Sequence, residues 1–305
     1  MKRDNEMMKR LESNFLRWRH VELEDVQPVE EWQVKVWQQT VGSDVVKRFP
    51  VDREYELRFC KRVVAFCEEK GEEVTEMWYQ RLTELFSDNS SRPAYRTYSL
   101  GEVQTKVSIR ENKVAISGGT TGLCSWPAGE ALCSWIDVQG ASWTGKKVLE
   151  LGSGSGISGI FTARRWGDIL QGIVLTDCHE EVLSNLQHNV EANLKQKHVR
   201  KVKVEDLDWE AVSESSLPSH PDILLGADIV FDGRVIPSLV NTINIFLSVS
   251  PSCMAHIACT IRNQDTLNLF LSECKTKKLV VEEEPLEEAS SGVPAIVLLH
   301  ISNHS

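Results

Sequence analysis

The sequence lacks several features that would place it in specialised classes of protein. Its 34 Lys and Arg residues are outnumbered by 44 Asp and Glu residues, which gives a formal net charge of −10 at pH 7. A protein that binds DNA or RNA through phosphate groups needs a basic surplus, so we expect no direct nucleic-acid binding. An acidic chain is better matched to a basic protein or peptide partner.

Long apolar runs and paired cysteines are also missing. No apolar stretch approaches the roughly 18 residues that cross a bilayer, and the charged segment 1–10 has no apolar export signal. The eight cysteines include no C-x-x-C pair, so we expect no zinc site and no other metal. Reduced thiols indicate the cytosol or nucleus. We therefore expect a cytoplasmic protein with no membrane segment, and a monomer.

Residues 1–90 are predicted to form a helical N-terminal domain. Apolar residues recur at helical spacing in Glu30–Thr40, Glu54–Lys70 and Val74–Phe86. Tryptophans on such stripes are typical of a core, and this part of the chain shows no catalytic constellation. We expect it to contribute to substrate recognition. The polar cluster Ser87–Pro93 follows it and marks the best domain boundary.

Residues 91–305 are predicted to form a second domain, with a hairpin and a helix in 91–145 and a catalytic core in 146–305. The first part contains three short alternating runs, with a turn at Glu111-Asn112 and a helix from Pro127. Its expected strands are Tyr95–Leu100, Gln104–Ile109 and Lys113–Ile116.

Strand and helix patterns then alternate through the core. The expected strands are Lys147–Leu151, Gly172–Asp177, Lys201–Val204, Ile223–Ala227, Met254–Thr260, Leu279–Glu283 and Ala295–Ile301. The expected helices are Gly156–Arg165, Glu180–Asn193, Ile236–Leu247 and Gln264–Glu273. Apolar strands separated by helices predict a mostly parallel sheet covered on both faces. The last two strands lack room for a crossover helix, which predicts an antiparallel pair at one edge.

The central feature of the core is a glycine-rich turn after the strand Val148–Leu151. Gly154–Gly159 fits G-x-G-x-x-G, which by itself suits a dinucleotide or S-adenosylmethionine (SAM). Glu150, two residues before Gly152, favours a bound ammonium or ribose and would repel a pyrophosphate. Trp209, which follows a later strand, offers a ring on which adenine could stack. The sequence has no Tyr-x-x-x-Lys pair for hydride transfer, so SAM is the favoured ligand.

Several segments in order carry a family resemblance. The segments are Val148–Gly156, Thr176-Asp177, Leu207–Trp209, Ala227–Phe231 and Gly119–Trp126. They resemble the seven-strand SAM-dependent protein-lysine methyltransferases related to the methyltransferase-like 21 group, over roughly residues 95–305. Thr176–His179, Cys259–Asn263 and the helical extension are similar to the members that act on elongation factor 2. The resemblance implies an α/β Rossmann-like fold and methyl transfer from SAM to a lysine of that factor.

The resemblance also implies roles for individual residues. The cofactor pocket would be lined by Trp126, Gly152, Ser153, Gly154, Asp177, Trp209 and Ala227, and we add Glu150 from its position before the turn. Asp228 would accept a hydrogen bond from the lysine amine, Phe231 would wall the lysine channel, and Thr260 and Arg262 would shape the substrate side. The family motif after the fourth core strand is usually Asp-x-x-Tyr, whereas this chain has Phe231.

Two other functions stay open at this point. The target could be another folded protein such as a chaperone, because core motifs do not encode the substrate. The chain could also be a catalytically silent adaptor that keeps the SAM fold. Methylation of a nucleic-acid base is disfavoured, since no Asp/Asn-Pro-Pro-aromatic turn follows the fourth core strand. Cys178 and Cys259 are interpreted as small buried hydrophobic residues.

Overall fold

The computed structural model describes residues 2–23, 26–88, 92–112, 120–290 and 293–303. The chain divides into two compact units, one of residues 1–99 with 108–111 and one of residues 100–107 with 112–305. The division lies inside the hairpin of β1 (Tyr95–Leu100) and β2 (Thr105–Arg110), beyond the boundary expected after residue 90. None of the described helices is long and apolar enough to cross a membrane.

The N-terminal unit is helical. Its helices are α1 (Lys2–Leu16), α2 (Glu30–Gln39), α3 (Asp44–Arg48), α4 (Arg53–Glu69) and α5 (Glu76–Ser87). Trp78 is completely buried, and its ring lies 5.2 Å from that of Trp37 and 6.1 Å from that of Phe59. The apolar stripes predicted from the sequence therefore pack against one another and form the core of this unit.

A buried ion triad accompanies that core. Glu56 on α4 is fully buried, and its two carboxylate oxygens accept hydrogen bonds from Arg81 and Arg92, both at 2.7 Å. A buried carboxylate that stays charged must be paired and hydrogen-bonded. Side chains from α4, α5 and the segment after α5 therefore meet at the carboxylate of Glu56.

The second unit contains a seven-stranded sheet. Its strands are β3 (Lys147–Leu151), β4 (Gly172–Asp177), β5 (Val202–Asp206), β6 (Ile223–Ala227), β7 (Met254–Thr260), β8 (Leu279–Glu287) and β9 (Ile296–Asn303). They lie in the order β5-β4-β3-β6-β7-β9-β8. The helices are α6 (Pro127–Gln139), α7 (Ile157–Trp166), α8 (Glu180–Asn193), α9 (Gln196–Val199), α10 (Ile236–Val249) and α11 (Gln264–Thr276). The predicted fold class is confirmed.

The sheet edge contains an arrangement that the sequence did not predict. Strands β3 to β7 are parallel, and the last two are antiparallel to their neighbours, as expected. The final strand β9, however, inserts between β7 and β8, so that Ile257 pairs with Leu299. Chain order alone does not reveal this insertion, although the apolar β9 is largely buried and the acidic β8 is largely exposed, as an inner strand and an edge strand should be.

The hairpin before the core differs in part from its prediction. Its described strands β1 and β2 pair around a turn at residues 101–104, where Gln104 takes a φ of 53°. The third expected strand, Lys113–Ile116, lies outside the described residues. Glu111, expected in a turn, is instead buried, and Tyr98 donates to its carboxylate at 2.8 Å.

Candidate active site

A cavity of about 590 Å³ opens at the carboxyl ends of the parallel strands. This is the edge at which open α/β sheets hold their ligands. Every residue predicted to bind the cofactor lines it: Trp126, Glu150, Gly152, Ser153, Gly154, Asp177, Trp209 and Ala227. Asp228 and Phe231 line it as well. Residues far apart in the chain therefore meet in one space, because β3, β4, β5 and β6 are neighbours in the sheet.

The glycine-rich turn shapes one wall of this cavity. Gly152 and Gly154 take φ values of 56° and 53°, in the left-handed region that favours glycine. A Cβ on Gly152 would lie 2.8 Å from Cγ2 of Ile229. The Ser153 hydroxyl accepts from the Thr176 N–H at 3.1 Å and ties the turn to β4. The turn therefore leaves bare backbone at the cavity, where a ligand can approach closely.

Asp177, at the end of β4, supports the same turn. Its Oδ2 accepts from the Gly154 N–H at 3.2 Å, and its Oδ1 accepts from the N–H groups of Cys178 and His179 at 2.9 and 3.3 Å. The N-cap of α8 is His179, not Asp177. A carboxylate offers about four acceptor positions, so Asp177 retains capacity for a hydroxyl of a bound ribose.

Glu150 is the buried carboxylate of the site. It is almost completely buried, and its Oε1 accepts a short hydrogen bond from the Ser158 hydroxyl on α7. Burial raises the pKa of Glu150 to about 7, against the opposing effect of hydrogen bonds from Ser158, Ser153 and the Gly159 N–H. Oε2 makes no hydrogen bond of ordinary geometry with the described residues. An incompletely satisfied carboxylate in a cavity wall suits a cationic ligand.

Two tryptophans line the cavity. Trp209, which follows β5, is half-buried, and a Cβ on Gly152 would lie 3.2 Å from its Cζ2. Trp126 immediately precedes α6, and its Nε1 donates to the Thr121 carbonyl at 3.2 Å. Their rings supply apolar faces among acidic side chains, a combination that suits an aromatic ring carrying a positive group nearby.

Asp228, at the end of β6, is buried and surrounded by donors. Its backbone φ is 54°, and its N–H donates to the Ala258 carbonyl at 2.8 Å. The Thr260 N–H and hydroxyl each donate to the carboxylate at 2.9 Å, and the Ala128 N–H donates at 3.4 Å. Arg262 donates through Nη1 and Nη2 at 3.4 and 3.2 Å. Sequence reasoning did not foresee this arrangement, because the donors come from β7, the residues after it and α6.

Phe231 separates the large cavity from a smaller one of about 60 Å³. Its side chain is 52% exposed and borders both. Thr260 and Arg262, predicted on the substrate side, line the smaller cavity. Cys259 is buried as interpreted from the sequence, whereas the interpretation of Cys178 is wrong because Cys178 is exposed at the large cavity.

The sequence analysis missed some residues of the cavity. Asp232 and Arg234 line it and form a bidentate ion pair, with Nη2 to Oδ2 at 2.6 Å. Their spacing resembles that of any exposed turn, so the sequence carried no signal for them. Ser158 was also missed. Its place as the second residue of the helix after the glycine turn could have suggested contact with Glu150.

The sheet order and the cavity at its carboxyl edge define the class: this is a SAM-dependent methyltransferase fold. The residues present fit SAM, since bare backbone, the buried carboxylate of Glu150 and the acceptor capacity of Asp177 suit its cationic amino acid and ribose. A family model described as lysine methyltransferase matches residues 103–277. The chain belongs to this lysine methyltransferase family and is a SAM-dependent protein-lysine N-methyltransferase.

Similar proteins carry related names. The protein-lysine N-methyltransferase EEF2KMT of Homo sapiens is 30% identical over 261 residues, covering 82% of this chain and 78% of its own. The protein of the same name from Mus musculus is 29% identical over 82% of this chain and 77% of its own. EEF1A lysine methyltransferase 3 of Mus musculus is 32% identical over 54% of this chain and 65% of its own.

Proposed function

We propose that this enzyme methylates a lysine of elongation factor 2. The observation that carries the proposal is the extent of the similarity. The match to human EEF2KMT covers 82% of the chain, more than the second unit alone contains, so it reaches into the N-terminal helical unit. The match to an enzyme named for EEF1A covers only 54%. A shared helical unit outside the catalytic core supports a shared protein substrate.

We propose that the cavity binds SAM through the residues described above. Gly152, Ser153 and Gly154 would admit the methionine part, with Glu150 as the nearby carboxylate. Asp177 would accept from the ribose hydroxyls. Trp209 and Ala227 would flank the adenine, and Trp126 would cover the site. When bound, SAM supplies a methyl group made electrophilic by the sulfonium.

The remaining work of the protein is to position and desolvate the lysine amine. The amine must lose a proton first, since its ordinary pKa is about 10.4. Its lone pair then forms the N–C bond while the S–C bond breaks, and the methylated ammonium releases a proton to water. We propose that the side chain passes Phe231 and reaches the cavity beside Asp228. Apolar contact with the Phe231 ring favours the neutral amine, because desolvation disfavours the charged form.

The N-terminal unit is proposed to select the substrate. Its described residues include no arrangement of side chains suited to catalysis, yet the similarity to EEF2KMT extends into it. We place the reaction in the cytoplasm, where elongation factor 2 works. The eight cysteines are all free, which is consistent with a reducing compartment.

The test is methyl transfer from isotopically labelled SAM to purified elongation factor 2, elongation factor 1A and a chaperone in parallel. Peptide mass mapping then locates the methyl group. We expect label on a lysine of elongation factor 2 alone. Labelling of only another protein would overturn the substrate and leave the enzyme class intact. The Asp177→Asn variant, which weakens the proposed SAM site, should lose labelling and shows that the signal comes from this enzyme.

A further inference from the structure

The carboxylate of Asp228 has more donors than it can fully use. Two N–H groups, one hydroxyl and both terminal nitrogens of Arg262 point at its two oxygens. Two carboxylate oxygens offer about four acceptor positions. An arriving amine would therefore meet an occupied carboxylate. The charge of buried Asp228 is compensated by Arg262, whose side chain is 41% exposed.

Arg262 also contacts a second residue of the large cavity. Its Cζ lies 5.0 Å from the centroid of the Trp126 ring, within the range of a cation–π interaction. Trp126 and Asp228 both line the large cavity, whereas Arg262 lines the smaller cavity beside it. The guanidinium thus connects the residue that precedes α6 to the end of β6 from outside the large cavity.

We propose that Arg262 is a positioning residue for methyl transfer, which holds Asp228 and Trp126 together and neutralises Asp228 so that lysine enters the cavity as the free amine. This rests on the proposed entry of lysine beside Asp228. An uncompensated carboxylate would stabilise the ammonium form of the substrate, because an opposite charge within about 4–6 Å favours the charged form. An ammonium group has no lone pair with which to attack the methyl group.

The other ionisable groups around Asp228 leave Arg262 as its direct charge partner. On β7, the Cys259 thiol has its pKa raised by burial and by Asp228. After β6, Asp232 and Arg234 pair with each other. Other ionisable groups also line the cavity: Glu150 on β3, Asp177 at the end of β4, Cys178 and His179 after it, and Asp208 and Glu210 after β5. Most of these are acidic, so they would add to the stabilisation of an ammonium if Arg262 were lost.

The first test compares Arg262→Met with wild type in the dependence of kcat on pH. Methionine retains an apolar stem against Trp126 and removes the charge. We expect the rising limb of kcat to move up by about one pH unit, so that kcat at pH 8 falls roughly tenfold and recovers toward pH 10. KM for the protein substrate should stay the same or fall. Arg262→Lys keeps the charge and should retain most of the wild-type profile.

A matched control is available in the same unit. Arg165 forms an ion pair with buried Asp137 at 2.6 Å and lies 4.0 Å over the Trp166 ring, away from the cavity. Arg165→Met removes an equivalent Arg–Asp–Trp arrangement and should leave the pH profile unshifted. The double variant Arg262→Met with Asp228→Asn removes both charges and should return the profile toward wild type. An unshifted profile in Arg262→Met, or no reversal in the double variant, overturns the proposal.

A measurement that needs no protein substrate tests the role of Arg262 independently of the proposed substrate, elongation factor 2. Amide hydrogen exchange at residues 120–128 reports whether Arg262 holds the start of α6, since the Ala128 N–H donates to Asp228. We expect faster exchange there in Arg262→Met and unchanged exchange in Arg165→Met. Equal exchange in wild type and Arg262→Met overturns the positioning role. If the wild-type enzyme shows no activity on elongation factor 2, only the proposed substrate is overturned.

Discussion

The Nδ1 atoms of His256 and His300 lie 2.8 Å apart across the neighbouring strands β7 and β9. One ring must donate and the other accept, so at least one is neutral. The Trp135 ring lies 4.7 Å from that of His256, and Glu284 lies 2.9 Å from Nε2 of His300. Burial and the adjacent His300 lower the pKa of His256 to about 4.

This relationship predicts a loss of stability in acid. Unfolded histidine binds a proton near pH 6.5, whereas His256 in the folded protein does so only near pH 4. The stability present above pH 6.5 is therefore lost as the pH falls toward 4, by up to about 3 kcal/mol. In urea unfolding, His256→Gln should lose less stability over this interval than wild type. His220→Gln, at an exposed site, is the control, and equal slopes in all three proteins would contradict the prediction.

Glu150 predicts the opposite dependence on pH. Its folded pKa of about 7 lies above the ordinary value of 4.5, so the folded protein keeps a proton that the unfolded chain has lost. The stability that this group contributes is complete below pH 4.5 and disappears as the pH rises through 7. The free energy of unfolding of Glu150→Gln should therefore rise relative to that of wild type by up to about 3 kcal/mol between pH 4.5 and 8. Glu191→Gln, at an exposed site, should show no such gain in the same urea titrations. If the free energies of unfolding of Glu150→Gln and wild type differ by the same amount at every pH, the raised pKa of Glu150 is refuted.

Asp177 is expected to control affinity for SAM. Asp177→Asn removes the charge and places an amide donor where the Gly154 N–H donates and where we propose that a ribose hydroxyl would donate. A hydrogen bond to a charged group contributes about 1.5–3 kcal/mol, so Kd should rise roughly 10- to 100-fold in calorimetry. Asp206→Asn, at the exposed end of the neighbouring strand, should bind as wild type does. Unchanged affinity in Asp177→Asn would remove Asp177 from the site.

Substitutions at Phe231 test the effect of the departure from the Asp-x-x-Tyr motif. At 52% exposure its ring has space at the edge for a hydroxyl, so Phe231→Tyr should fold normally and keep kcat/KM within about threefold of wild type. Phe231→Ala removes the wall between the two cavities and should lower kcat/KM at least tenfold, with Kd for SAM unchanged. Initial rates with the protein substrate and calorimetry with SAM measure both. A loss of SAM affinity in Phe231→Ala would place the ring in cofactor binding instead.

Two exposed aromatics on α5 test the N-terminal unit. Tyr79 and Phe86 are seven residues apart, which places them on one face of the helix, and they are 46% and 57% exposed. If this unit selects the substrate through that face, replacing both with Ala should raise KM for the intact protein at least fivefold and leave kcat unchanged. Gln80→Ala, on the same helix, is the control. An unchanged KM would exclude this face from substrate binding.

The order of strands and helices was largely predictable from sequence, since β3, β4, β6 and β7 have the predicted bounds. Periodicity and unbroken apolar runs identify such elements because burial on one or two faces restricts which residues can occur. The convergence of the predicted cofactor residues on one cavity also follows from parallel strands that end at one edge. The ion pair of Asp232 with Arg234 had no local signal. The insertion of β9 had only the contrast between its apolar sequence and the acidic sequence of β8.

The sequence by itself determined the glycine turn, the acidic residues at successive strand ends and the resemblance to a methyltransferase family. These depend on local backbone requirements and on strand ends that chain order places together. Only the tertiary structure decided the surroundings of each charge. The sequence predicted that Asp228 would accept from a lysine amine, but it did not predict the ion pair of Asp228 with Arg262, 34 residues away in sequence. Burial and partners determine what a carboxylate can do, and both arise from segments that meet only in the folded protein.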